Sequence, residues 1–225
     1  MQDNTLIVEE VLLLMLDDEY GIPAGAGTLH HTLGGAVLVE LALLGRIKPE
    51  DSRAWFKGTK VLATGAGSLP DPLLQSAYDT ITARPGQVQS LLVTIGSGLW
   101  KPLTERLVER GLLRRERKRL LGLFPTTSLP ATDTGHEAEL RERMRAVLEH
   151  GEEPDARLAA IIALISASGT LPSLDPVPKW SGAVATRAKE LEQGNWGAAA
   201  VNSAVTQIAA AFSAASAATV ITTLS

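Results

Sequence analysis

Cysteine is absent from the 225 residues, which excludes disulfides, thiolate nucleophiles and sulfur-ligated metals and suits a reducing compartment. Aromatic residues make up only 4% of the chain. With Ala and Leu plentiful, that scarcity favours helices over sheets. Charge is missing altogether between Gly197 and Ser225. The stretch is long enough to cross a bilayer, but Ala, Ser and Thr dominate it and few Leu, Ile or Phe favour insertion. It reads as a buried C-terminal helix closely packed by its neighbours. A secretory signal is also missing, because Asp3, Glu9 and Glu10 interrupt the required order, so the chain is expected in the cytosol.

Catalytic and cofactor signatures are equally scarce. There is no Gly-x-Ser-x-Gly elbow, phosphate-binding Gly-Lys-Ser/Thr loop or paired-carboxylate motif. His136-Glu137-Ala138-Glu139-Leu140 opens like a zinc-protease helix, yet Leu140 stands where the second His ligand belongs. Glu137 and Glu139 then decorate a helix's first turn. Adjacent His30 and His31 point about 100° apart on a helix and cannot chelate one metal. Gly25-Ala26-Gly27 and Gly65-Ala66-Gly67 lack the third Gly and the preceding strand of a dinucleotide site and read as turns. No metal and no cofactor is expected.

What remains is a globular composition, 45% hydrophobic and 20% charged, in a length suited to one domain over residues 1–225. Leu6 to Leu16 forms a first helix with Glu9 and Glu10 on its exposed side. Thr28 can cap a second, almost continuously apolar helix that stops at Gly45. Arg46 to Thr64 suggests a small hairpin, Pro70–Thr82, Val88–Thr94 and Leu103–Gly111 further helices. Helices resume at Glu137–Glu149, Asp155–Ala167, Ala183–Gln193 and Ala198–Ile221. The expected fold is mainly α: a buried apolar helix core surrounded by amphipathic helices, with small β-hairpins.

One segment breaks the charge pattern. Lys101 to Arg119 holds eight cations against three Glu, a local +5 in a chain of −4, which leaves −9 for everything else. Such asymmetry attracts an anionic partner to one face. The segment is read as a hairpin in which Leu112–Arg115 pairs with Arg119–Leu123 around Glu116-Arg117-Lys118. Arg114, Arg115, Arg117, Lys118 and Arg119 then crowd the tip, beside apolar Leu120, Leu121, Leu123 and Phe124. Cations beside an apolar tip favour an anionic membrane surface, each cation being worth about 1 kcal/mol there.

Two passages together resemble the Golgi phosphoprotein 3 family of peripheral membrane proteins. The first is Leu6-Ile7-Val8-Glu9-Glu10-Val11-Leu12-Leu13-Leu14 followed by Leu33-Gly34-Gly35-Ala36 through Glu40-Leu41-Ala42-Leu43-Leu44-Gly45-Arg46-Ile47. The second is Leu107-Val108-Glu109-Arg110-Gly111-Leu112-Leu113, the basic hairpin, and Leu121 to Pro130. Asp155-Ala156-Arg157-Leu158 through Ile162 adds a third piece. The resemblance covers most of the chain and implies a helical core without catalytic activity. It also implies phosphatidylinositol 4-phosphate in a basic pocket, and a hairpin that oligomerises or touches the bilayer. The Ala-, Arg- and Gly-leaning composition looks like that of a bacterial member.

The pocket side chains the resemblance implies, a Trp and three Arg, fall on Gly25, Gly34, Ser97 and Trp100, so none is in place. Losing three Arg forks at about 1.5–3 kcal/mol each removes most of the specific affinity for that lipid. Trp100, Lys101, His30 and His31 are the nearby substitutes. The reading is therefore a cytoplasmic protein peripheral to a membrane, binding anionic lipid through these residues and the hairpin. A homo-oligomeric scaffold built through the hairpin is the alternative. Nucleic acid is not expected: Glu105 and Glu109 occupy the helix that would precede a DNA-binding wing.

Overall fold

The computed structural model describes residues 5–17, 20–50, 59–120, 124–132, 134–174, 178–194 and 203–222. Its helices are α1 (Ile7–Met15), α2 (Leu29–Leu43), α3 (Pro72–Ala83), α4 (Val88–Gly96) and α5 (Trp100–Glu109), then α6 (Thr134–His150), α7 (Ala156–Ala167), α8 (Gly182–Glu192) and α9 (Ser203–Thr222). Strands β1 (Ile47–Pro49), β2 (Lys60–Ala63) and β3 (Gly86–Gln87) form an antiparallel sheet in that order. Strands β4 (Glu116–Leu120) and β5 (Phe124–Ser128) form a separate hairpin. The mainly α expectation holds. The uncharged C-terminal stretch supplies α9, whose Ile208, Ala209 and Phe212 are buried in the shared core. Among the described residues, no helix is long and apolar enough to cross a membrane.

Helix α2 is the centre of this arrangement. From Thr32 to Ala42 every residue is buried, so the helix has no polar face to show solvent. Two adjacent glycines let neighbours approach it from different sides. A Cβ at Gly34 would overlap the Leu92 carbonyl of α4, and one at Gly35 would come within 2.9 Å of both Leu164 of α7 and Phe212 of α9. Gly96 completes the α2–α4 contact, since a Cβ there would overlap the His30 carbonyl. The helix stops at Gly45, whose φ of 67° suits glycine, while the Arg46 N–H donates to the Leu41 carbonyl at 2.8 Å.

Local capping fixes several other ends. The Asp71 carboxylate accepts from the N–H groups of Leu73 (2.9 Å) and Leu74 (3.3 Å), ahead of Pro72 at the start of α3. Asp155 does the same for α7 through Leu158 at 2.8 Å, and Ser181 for α8 through Val184 at 3.2 Å. Thr28 differs from expectation. Its hydroxyl donates to the Gly25 carbonyl at 3.1 Å and makes no side-chain cap for α2.

The first helix carries the largest correction. Glu9 and Glu10 are not on an exposed side: they are buried, Glu9 completely. Helix α1 is buried along its whole length, so its acids required cations from elsewhere in the fold. Glu9 accepts from the Leu6 N–H (2.7 Å), Arg106 (2.9 Å) and Arg110 (2.9 Å). Glu10 lies 2.8 Å from Arg157 of α7 and 3.3 Å from His136 of α6. Arg157 also reaches Glu40 of α2 at 3.2 Å, and Glu40 accepts from the Ile7 N–H at 2.5 Å. Glu137 stands in the first turn of α6 as expected, but it is buried there and bridged to Arg141 at 2.8 Å.

Candidate functional site

The hairpin register differs from the one expected. Glu116, Arg117 and Lys118 lie within β4 and pair with Ser128, Thr127 and Thr126, while Leu120 faces Phe124 as the closing pair. The charges therefore run along a strand rather than crowding the turn. Residues 121–123, which include the expected contacts Leu121 and Leu123, lie outside the described residues. An isolated bridge between Leu113 and Ala131 continues the ladder toward the body. Below it, the Arg114 N–H donates to the Pro130 carbonyl at 3.1 Å. Leu113 is buried in the core, which anchors the base of the hairpin, and the strand proper begins at Glu116.

The cations of the Lys101–Arg119 segment divide by location. Arg106 bridges Glu9 and Asp71 (2.6 Å), and Arg110 bridges Glu9 and the Thr5 hydroxyl (3.0 Å). Burial opposes the Arg106 charge, but hydrogen bonding to Asp71 and the nearby Glu9 overcome it and hold Arg106 above its ordinary pKa. These two arginines are structural. Arg114 and Arg115 have side chains 59% and 55% exposed, with Glu116 (2.7 Å) and Glu105 (3.9 Å) beside them. Lys101 is 83% exposed and 4.0 Å from Glu105.

The positions implied for a lipid pocket meet only in part. The His30 carbonyl lies against Gly96, the residue before Ser97, so the start of α2 neighbours the α4–α5 junction. Trp100 and Lys101 open α5 nearby, with Trp100 at the surface. A side chain at Gly34 is excluded by the α4 backbone. Gly25, with φ of 63°, sits elsewhere, against Thr170. The two imidazoles are in contact, with ring centroids 4.1 Å apart. His31 lines a cavity of about 150 Å³ with Ser168, Lys189 and Glu192. Trp100 and Lys101 do not line that cavity. Burial and then the neighbouring His30 charge lower the His31 pKa, which favours a neutral imidazole.

Two groups escaped sequence reasoning. The buried acids had a signal: Glu9, Glu10 and Glu40 interrupt otherwise unbroken apolar helices, and Arg106 and Arg110 share a face at i, i+4 spacing. The cavity had none, since its walls come from α2, α7, α8 and α9. Among the described residues, no cluster of three His, Asp or Glu is arranged to hold a metal.

A mainly helical body organised on one apolar helix, stapled by buried acid–arginine pairs and carrying a separate two-stranded hairpin, defines the structural class. Residues 7–208 match the family model of Golgi phosphoprotein 3 (GPP34), and the chain belongs to that family. It is also similar to Vacuolar protein sorting-associated protein 74 of Eremothecium gossypii, 27% identical over 161 residues. That alignment covers 63% of this chain and 48% of the relative, so the chain spans about half the length of the curated relative it matches.

Proposed function

We propose that this chain is a non-enzymatic, peripheral membrane protein that docks on anionic lipid through the hairpin, with Trp100, Lys101 and His30 as an adjoining contact. The observation that carries this reading is the exposure of Arg114 and Arg115 at the base of a strand that continues Arg117-Lys118-Arg119 and closes on Leu120 and Phe124. Cations leading to an apolar end match the order of a bilayer surface, phosphates first and hydrocarbon beyond. Family membership supports a membrane-associated role. The pocket positions favour general anionic lipid over phosphatidylinositol 4-phosphate, because Gly34 admits no side chain against α4.

The test is sedimentation with neutral, anionic and phosphoinositide-doped vesicles, using the wild type and a variant with Arg114, Arg115, Arg117 and Arg119 each changed to Glu. Binding to every anionic vesicle, lost in the variant and in high salt, is the expected result. Binding restricted to phosphoinositide would replace the hairpin reading with a specific pocket. Failure to bind any vesicle at low salt, with a hairpin-dependent oligomer in sedimentation velocity, would favour the scaffold alternative.

A further inference from the structure

The cavity beside His31 is separate from the hairpin and has a chemistry of its own. Five of its hydroxyls already donate within the protein, Thr32 to the Thr28 carbonyl at 3.4 Å among them, and Ser216 also lines the cavity. Ser166 donates to Glu192 Oε1 at 2.6 Å, Ser168 to the Ile165 carbonyl at 2.7 Å, Ser213 to the Ala209 carbonyl at 3.2 Å, and Thr28 to the Gly25 carbonyl. Each of these oxygens keeps lone pairs to accept with. Lys189 Nζ lies 2.6 Å from Glu192 Oε2, so the one ammonium at the cavity is balanced by a buried carboxylate. The remaining N–H groups of Lys189, whose side chain is 62% exposed, supply donors at the mouth.

That inventory selects a ligand. A phosphate would bring two negative charges to a lysine already neutralised by Glu192, beside hydroxyls most of which donate within the protein. An alkylammonium would set its charge beside Lys189. A neutral molecule with several hydroxyls suits the walls, because each hydroxyl donates to a waiting oxygen and can accept from Lys189. The volume of about 150 Å³ has room for several waters, each needing about 10–15 Å³ by this measure, and so for a molecule of glycerol size or larger. The lowered pKa of His31 agrees, because a neutral imidazole adds an acceptor or a donor without charge.

We infer that the cavity between α2, α7, α8 and α9 is a binding site for a small neutral polyol, recognised through Ser166, Ser168, Ser213, Lys189 and Glu192. The polyol is either free or the glycerol head of a lipid. The inference does not depend on the hairpin docking to membranes.

Proton NMR of the imidazole resonances tests it, since the chain has only four histidines. Sorbitol and glycerol in the millimolar range should move the His31 resonance saturably and leave His150 in place. Ser213→Leu, which fills the cavity, should abolish the shift while keeping the thermal midpoint close to wild type. Ala183→Leu, on the exposed side of α8, should retain it. If free polyols give no shift, phosphatidylglycerol vesicles are compared with phosphatidylserine vesicles of equal charge. Preference for phosphatidylglycerol that Ser213→Leu removes identifies a lipid head as the source. No saturable response to either source overturns the inference, as does a larger His31 shift from inorganic phosphate or ethylammonium. Because Ser213→Leu leaves the hairpin intact, losing this response while general anionic-vesicle binding persists separates the two sites.

Discussion

Arg106 and Arg110 on one side, and Arg114 and Arg115 on the other, belong to one basic run and have opposite roles. The first pair reaches back to a completely buried Glu9 on the first helix. The second pair, a few residues on, stands more than half exposed, Arg114 paired with Glu116 at 2.7 Å and Arg115 3.9 Å from Glu105. A local charge count treats the four alike. Burial separates them: a cation against a desolvated carboxylate is part of the fold, whereas an exposed cation remains available to a partner.

The largest way to test that contrast is Glu9→Ala. It leaves Arg106 and Arg110 without their buried partner and is expected to cost about 3–5 kcal/mol in denaturant unfolding. Gly96→Ala probes the close backbone contact between α4 and α2. Its Cβ would overlap the His30 carbonyl, so a loss of about 1–3 kcal/mol is expected. Arg114→Ala with Arg115→Ala should change stability by less than about 1 kcal/mol while weakening sedimentation with anionic vesicles. Equal destabilisation by the Glu9 and the hairpin variants would erase the distinction.

Two pH effects are smaller and sharpen the same comparison. Burial raises the Glu10 pKa above 4.5, and the Arg157 charge only partly offsets it. The folded state therefore holds the Glu10 proton more tightly than the unfolded chain does. Glu10's own contribution to stability is present in full below the ordinary carboxylate value and is lost as pH rises through the raised one. Unfolding midpoints of wild type and Glu10→Gln compared across that window should diverge with rising pH, to the wild type's disadvantage. Least in energy, the His31 imidazole should titrate below 6.5 by NMR, because burial and His30 both disfavour its charge.

Much of the architecture was legible along the chain. The apolar run through α2, the stop at Gly45 and the uncharged C-terminal helix follow from local pattern alone. The candidate site was legible only as composition. The basic run was visible, but strand register moved its cations from the turn onto β4. Trp100, Lys101, His30 and His31, close in the expected pocket, divide between the α4–α5 junction and the polar cavity. Glu9 and Glu10 read as a solvated face because helical spacing shows which residues share a face, not how many neighbours cover the helix.

The sequence by itself determined which segments form helices, to within a few residues at their ends, that the core is aliphatic, and which family the chain resembles. Those properties depend on backbone geometry and on side-chain spacing over a few residues. Tertiary structure alone decided which charges are buried with a partner and which stay exposed, and that α2, α7, α8 and α9 line one hydroxyl-rich cavity. Both depend on desolvation by residues distant in the chain: Arg110 lies 101 positions from the glutamate it binds, and Arg157 lies 147 from its own.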